Sequence, residues 1–96
     1  ILYDEPTSGL DPVISRQIDL LIDDLRRKLG VTSVVVTHDL YSALFIGTRV
    51  AMLHEGRIVV CAPPEEFIAS PHPVVRDFLQ AQGIADLRDV RKAFGK

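Results

Sequence analysis

The sequence predicts an α/β fold: a parallel βαβ unit, then a β-hairpin, then C-terminal helices. Three observations carry this. The apolar run Ile1-Leu2-Tyr3 precedes a long stretch of helical periodicity, which precedes the β-branched run Thr32-Ser33-Val34-Val35-Val36-Thr37. Strand, helix and strand in that order favour parallel pairing through a crossover. Two further apolar runs, residues 49–53 and 57–60, flank Glu55-Gly56, which signals a tight hairpin.

The elements follow in order. Residues 1–3 read as the end of a buried strand that stops at two acids, Asp4 and Glu5. Pro6-Thr7-Ser8-Gly9-Leu10-Asp11-Pro12 is rich in loop formers, with Asp11 suited to an N-cap and Pro12 to the first helical position. Ile14, Ile18, Leu21, Ile22, Leu25 and Leu29 then recur on one helical face, expected to be the packed one. Arg26, Arg27 and Lys28 fall in the last turn, where cations suit the helix dipole, and Gly30 is the natural residue just past the end. Residues 32–37 are continuously apolar at their centre, as in a strand covered on both faces. Asp39 can cap a second helix running to about Gly47. After the hairpin, Pro63-Pro64 opens a short helix, Pro71-His72-Pro73 breaks it, and Val74 begins another. From Ala85 the chain is charged, with Leu87, Val90 and Phe94 spaced for a short amphipathic helix or a tail that needs a partner.

Composition narrows the function. The 96 residues are 47% hydrophobic and 25% charged, an ordinary globular balance of a size for one domain. A formal net charge of −2 disfavours a strongly basic nucleic-acid binder. A single cysteine excludes a disulfide framework and a cysteine-rich zinc site; Cys61 reads as a small buried hydrophobe, and His54 and His72 as exposed. No apolar run reaches the ~20 residues that span a bilayer. Asp4-Glu5-Pro6 interrupts any signal peptide. Ile1 opens inside a strand and is not Met, so an upstream part is expected.

The residues that carry chemistry lie at strand ends. Open α/β sheets bind ligands at the carboxyl ends of their strands. Asp4 and Glu5 end the first strand, and His38 follows the parallel one. If those strands lie close, all three side chains rim one crevice. Adjacent strand residues point to opposite faces, so one acid would face a hard cation such as Mg²⁺ and the other a reacting water. Singly, each piece has a plainer explanation: a solvated loop start, a capping or packing histidine, an N-cap aspartate.

The strings are more specific. Tyr3-Asp4-Glu5-Pro6-Thr7-Ser8-Gly9-Leu10-Asp11-Pro12 resembles the Walker B strand end and D-loop of ATP-binding cassette (ABC) ATPases, and Val35-Val36-Thr37-His38-Asp39 resembles their switch-histidine loop. The resemblance runs from Ile1 to about Phe67. It implies the C-terminal part of a P-loop NTPase domain over residues 1–69, with residues 70–96 a C-terminal helical extension. It implies ATP and Mg²⁺ as ligands: Asp4 would assist Mg²⁺ through water, Glu5 would be the catalytic carboxylate, and His38 would contact the γ-phosphate. Ser8, Gly9, Leu10 and Asp11 would form the loop that crosses to a second ATPase subunit in a head-to-tail dimer. Gly56 with Ala62-Pro63-Pro64-Glu65-Glu66-Phe67 resembles a further family stretch, with Ala62 in a turn where glycine is usual.

No G-x-x-x-x-G-K-[ST] phosphate loop, LSGGQ-type signature or Gln loop occurs in the sequence. The resemblance therefore implies a fragment inactive alone and an ATPase only as part of a longer chain. Pro71-His72-Pro73-Val74-Val75-Arg76-Asp77-Phe78-Leu79 resembles the C-terminus of ATPase subunits of intermembrane phospholipid transporters, while polar amino-acid importers share it loosely. The reading is thus an ABC transporter ATPase on the cytoplasmic face of the membrane. Its partners would be a transmembrane permease and lipid-transfer proteins, with no nucleic acid. The alternatives are a soluble ABC-type ATPase of DNA repair or translation, and a non-catalytic regulatory or dimerisation fragment.

Overall fold

The computed structural model describes residues 1–95. The elements run β1 (Leu2–Asp4), α1 (Pro12–Leu29), β2 (Val34–Val36), α2 (Leu40–Ile46), β3 (Val50–His54), β4 (Arg57–Ala62), α3 (Pro64–Ile68), α4 (Pro73–Ala81) and α5 (Leu87–Ala93). β1 pairs with β2 in parallel, with Leu2 opposite Val34, Tyr3 opposite Val35 and Asp4 opposite Val36. β3 and β4 form a separate antiparallel pair. The expected βαβ unit, hairpin and C-terminal helices are thus all present.

Local chemistry explains the boundaries. The Asp11 carboxylate accepts from Val13 N and Ile14 N at 2.9 and 3.0 Å, taking two of the N–H groups that open a helix without partners. Gly30 ends α1 in the left-handed region at φ 64°, its N–H donating to Arg26 O. The hairpin turns on Glu55 and Gly56 at φ 51° and 76°. Two successive positive φ angles are what a two-residue type I′ turn needs.

The main core is built by α2 to α5 and the hairpin. Leu40, Leu44, Val50, Met52, Phe67, Val75, Leu79, Ile84 and Val90 form one buried cluster, drawn from both sides of residue 70. Phe67, Val75 and Leu79 are almost fully buried. The charged C-terminal stretch is a packed helix: Phe94, just past α5, stacks on Phe45 of α2 with ring centroids 3.9 Å apart.

Several expectations are corrected. The apolar stripe of α1 is not its packed face: Ile14, Leu21, Leu25 and Leu29 are exposed, while Ser15, Asp19, Ile22 and Asp23 are buried. The helix meets α2 through its polar side, so hydrogen bonding holds it there. β2 is not covered on both faces, since Val34 and Val36 are exposed at the surface of a two-stranded sheet. Cys61 is exposed, because the alternation that buries Ala62 turns its neighbour outward. Ala62 is not in a turn; it ends β4, paired with Val50. His72 is half-buried, because it caps α4: its Nδ1 accepts from Val74 N at 3.2 Å.

Phe67 has no exposed surface. Phe67→Ala is expected to destabilise the protein by about 3–5 kcal/mol, measured as a fall in the urea midpoint at unchanged slope. A loss below about 1 kcal/mol would show that the core closes over the gap.

Candidate active site

Parallel pairing sends the chain out of β1 and β2 at the same end of the sheet. The ladder continues one residue past β1, where Glu5 N donates to Val36 O at 2.7 Å. Glu5 then turns sharply, at φ 49°. A non-glycine residue in the left-handed region costs on the order of 1 kcal/mol and needs surrounding contacts to hold it. Here β1 has already ended, so the strand alternation expected to send Asp4 and Glu5 to opposite faces does not apply; the positive φ aims the Glu5 side chain instead.

That side chain meets His38. Glu5 Oε1 lies 2.5 Å from His38 Nδ1, with the carboxylate side chain 28% exposed and the imidazole 91% exposed. A carboxylate only accepts, so Nδ1 donates and Nε2 is the ring nitrogen left for another partner. Asp4, one residue before, is exposed. Mg²⁺ keeps several waters and takes one or two carboxylates beside phosphate oxygens. An exposed carboxylate at a strand end, with a second acid adjacent, fits that demand. Among the described residues no three His, Cys, Asp or Glu side chains converge on one point.

The loop between β1 and α1 is folded on itself. Ser8 N donates to Glu5 O and Leu10 N to Thr7 O, and Gly9 sits at φ 79°. Ser15 Oγ, from the first turn of α1, lies 3.4 and 3.5 Å from Thr7 O and Leu10 O. Ser8, Gly9 and Asp11 are exposed. The Asp11 carboxylate is already engaged in capping α1.

Behind His38 lies a polar seam that periodicity did not reveal. Arg16 of α1 donates to Asp39 Oδ2 at 2.7 Å and lies 3.7 Å from Asp19 Oδ2. Its guanidinium carbon sits 5.1 Å from the ring centres of both Tyr41 and Phe94. Ser42 Oγ lies within hydrogen-bond reach of Asp19 Oδ2 and, at 3.2 Å, of Asp39 Oδ2, with its one hydrogen shared between the two carboxylates. Asp39 Oδ1 meanwhile caps α2 through Tyr41 N. Burial pushes the Asp19 carboxyl up from its ordinary range; the Ser42 hydrogen bond opposes this, Asp39 adds to it, and Arg16 opposes it. Asp19 Oδ1 has no hydrogen-bond partner among the described residues. The signal in the sequence was a polar stripe, Ser15-Asp19-Asp23, which looks like a solvated face until its partners are known: the preceding loop for Ser15, Ser42 of α2 for Asp19, and Arg26 and Arg27 of α1 for Asp23.

The parallel pair, the acids at its exit and the hairpin beyond together have the architecture of a segment of an ABC ATPase domain. CbiO1 from Clostridium perfringens, described as part of the ABC transporter complex CbiONQ, superposes with a TM-score of 0.65 at 32% identity, over 82% of this chain and 31% of that one. The homologues in sequence are ATP-binding proteins of ABC transporters. Over 80 residues the chain is 39% identical to the spermidine/putrescine import ATP-binding protein PotA of Trichodesmium erythraeum, an alignment covering 82% of this chain and 21% of that protein. Over 71 residues it is 42% identical to the osmoprotectant import ATP-binding protein OsmV of Salmonella typhimurium, covering 74% and 19%. The chain thus spans about a fifth of the length of these curated relatives. No family model matches it. No helix among the described residues is long and apolar enough to cross a membrane.

Because the fold holds Asp19 better protonated than charged, its ionisation works against stability. That contribution is fully favourable below the ordinary carboxylate pKa and is lost as pH rises through the raised one. Asp19→Asn, which can still accept from Ser42, is therefore expected to unfold at a higher denaturant concentration than the parent at pH 7. The difference should shrink toward pH 4. A variant less stable at pH 7 than at pH 4, relative to the parent, would mean that the charged carboxylate is the stabilising form.

Proposed function

We propose that this chain is part of the ATP-binding subunit of an ABC transporter, contributing the carboxylate and the histidine that act on the terminal phosphate of ATP. The observation that carries the reading is the Glu5–His38 contact at the shared exit of two register-paired strands. Support also comes from the ATP-binding proteins named above, and from the surface. The exposed apolar stripe of α1 and the exposed Val34 and Val36 have the character of surfaces that a longer domain would cover.

The roles follow from the chemistry of each group. Glu5 gives one oxygen to His38 and has the other to accept a hydrogen bond from the attacking water, orienting it and taking its proton. His38, anchored through Nδ1, presents Nε2 to a substrate phosphate, where a hydrogen bond strengthens as charge builds on the transferring group. Asp4 would be one ligand of Mg²⁺, which when bound beside the phosphates neutralises their charge. Ser8, Gly9 and Asp11 lie on the exposed loop that would face a second ATPase subunit in a head-to-tail dimer. Hydrolysis would be coupled to transport through a membrane permease, with the subunit peripheral on the cytoplasmic side.

Substrate is the finer part of the reading. Phospholipid transport, with lipid-transfer proteins as further partners, has chiefly the string of residues 71–79 in its favour. That string has a structural explanation of its own, since Val75 and Leu79 are core residues and His72 is the α4 cap. The relatives named above import polyamines and osmoprotectants, so they lend the lipid reading no support.

In the full-length ATPase, Glu5→Gln keeps the shape of the side chain but cannot take a proton. It is expected to bind ATP with near-parental affinity and to lose roughly 10²–10⁴-fold in kcat. Steady-state hydrolysis and equilibrium nucleotide binding on the same preparation check this. Turnover at the parental rate would remove Glu5 from the chemistry.

A further inference from the structure

His38 projects from a loop only three residues long between β2 and α2, and its side chain is largely exposed. Its own packing therefore does little to fix its direction. Beyond the Glu5 contact at the imidazole itself, part of what holds the loop comes from the far end of the chain. Gln82, the residue that ends α4, reaches across with both atoms of its amide. Its Nε2 donates to His38 O at 2.8 Å and its Oε1 accepts from Leu40 N at 2.9 Å. Its backbone carbonyl accepts from the Tyr41 hydroxyl at 2.9 Å. One residue thus ties the main chain on both sides of Asp39, while Asp39 is itself held by Arg16, by Ser42 and by its own N–H donating to Thr37 Oγ1.

We propose that Gln82 is a positioning residue for the switch histidine: its amide clamps the backbone from His38 to Leu40 and so sets the direction in which the imidazole leaves the strand. A bidentate amide clamp on main-chain atoms fixes a peptide plane as well as a distance, because donor and acceptor must be met at the same time. The carbonyl of His38 and the N–H of Leu40 bracket the torsions of Asp39 and, with the β2 ladder on the other side, limit how far the direction of the His38 Cα–Cβ bond can swing. The C-terminal helices thereby act on the reacting centre without touching substrate. α4 supplies Gln82, and Phe94 beside α5 lies over the Arg16 guanidinium that grips Asp39. Misplacement of a reacting group by about 1 Å can cost roughly 100-fold in rate, so a clamp that limits a fraction of that movement is worth about tenfold.

The inference rests on the catalytic reading of His38, and the test separates the two. Three variants of the full-length ATPase are compared: Gln82→Met, Gln82→Glu and His38→Ala. Gln82→Met keeps the length of the side chain but makes neither hydrogen bond. Gln82→Glu still accepts from Leu40 N, and so still caps α2, but turns an oxygen toward His38 O in place of a donor. Both Gln82 variants are expected to lower kcat by about tenfold per folded molecule, with the KM for ATP changed less than about twofold. Parental kcat in Gln82→Glu would show that Gln82 only caps α2. Parental kcat in Gln82→Met would show that it only fills space. Either result overturns the clamp provided that His38→Ala is slow. Parental kcat in His38→Ala would instead overturn the catalytic reading of the histidine, and the clamp would have nothing to position.

Discussion

The parallel register of Leu2–Asp4 against Val34–Val36 puts two chain exits side by side, and the chemistry of the site depends on that adjacency. Parallel strands leave a sheet at the same end, so Glu5 and His38 emerge together although 33 residues separate them in sequence. An antiparallel pairing would send them to opposite ends of the sheet. Helix α1 makes the crossover possible: Asp11 starts it and Gly30 stops it, and its length carries the chain back to the start of β2. The bend at Glu5 then converts strand adjacency into side-chain contact, through a positive φ that the Val36 carbonyl helps hold in place.

Two very different interfaces support this arrangement. The core beneath the hairpin is apolar, with Phe67, Val75, Leu79 and Val90 packed out of water. The seam between α1 and α2 is polar, built from Arg16, Asp19, Asp39 and Ser42. Burying a carboxylate is costly unless its charge or hydrogen bonds are matched, which is why the Asp19 carboxyl is pushed toward its neutral form. A seam of this kind gives geometry more readily than net stability. It fixes Asp39, and Asp39 is the residue between His38 and α2. Gln82 reaches the same three-residue stretch from the C-terminal helices.

The elements were legible in the sequence because their signals are local. Asp11, Pro12 and Gly30 mark α1, and Gly56 marks the hairpin, each through a backbone requirement met by the residue on the spot. The face of α1 was not legible. Periodicity finds an apolar stripe but does not name its partner, and of the stripe of α1 only Ile22 is buried while Ile14, Leu21, Leu25 and Leu29 are left exposed. Glu5, His38 and Asp4 were legible as strings, whereas the bend that joins Glu5 to His38 was not, since glutamate carries no preference for positive φ. Gln82 left no trace either: two of its three partners are main-chain atoms, and a bond to a backbone carbonyl or N–H imposes no complementary residue at the other end. The covered β2, the buried Cys61 and the Ala62 turn failed for a related reason, each being a statement about neighbours that a short window does not contain.

If Glu5 and His38 work as one unit, removing either should forfeit most of what the pair contributes. The most direct measurement is a kinetic cycle in the proposed full-length ATPase: kcat for the parent, Glu5→Gln, His38→Ala and the double variant, each corrected for folded, ATP-binding protein. Groups that act together give grossly non-additive losses. The contact at 2.5 Å predicts a double variant no slower than the slower of the two single ones. Losses that multiply, so that the double variant falls by the product of the single effects, would mean that the two side chains act independently and that their contact is not part of the mechanism.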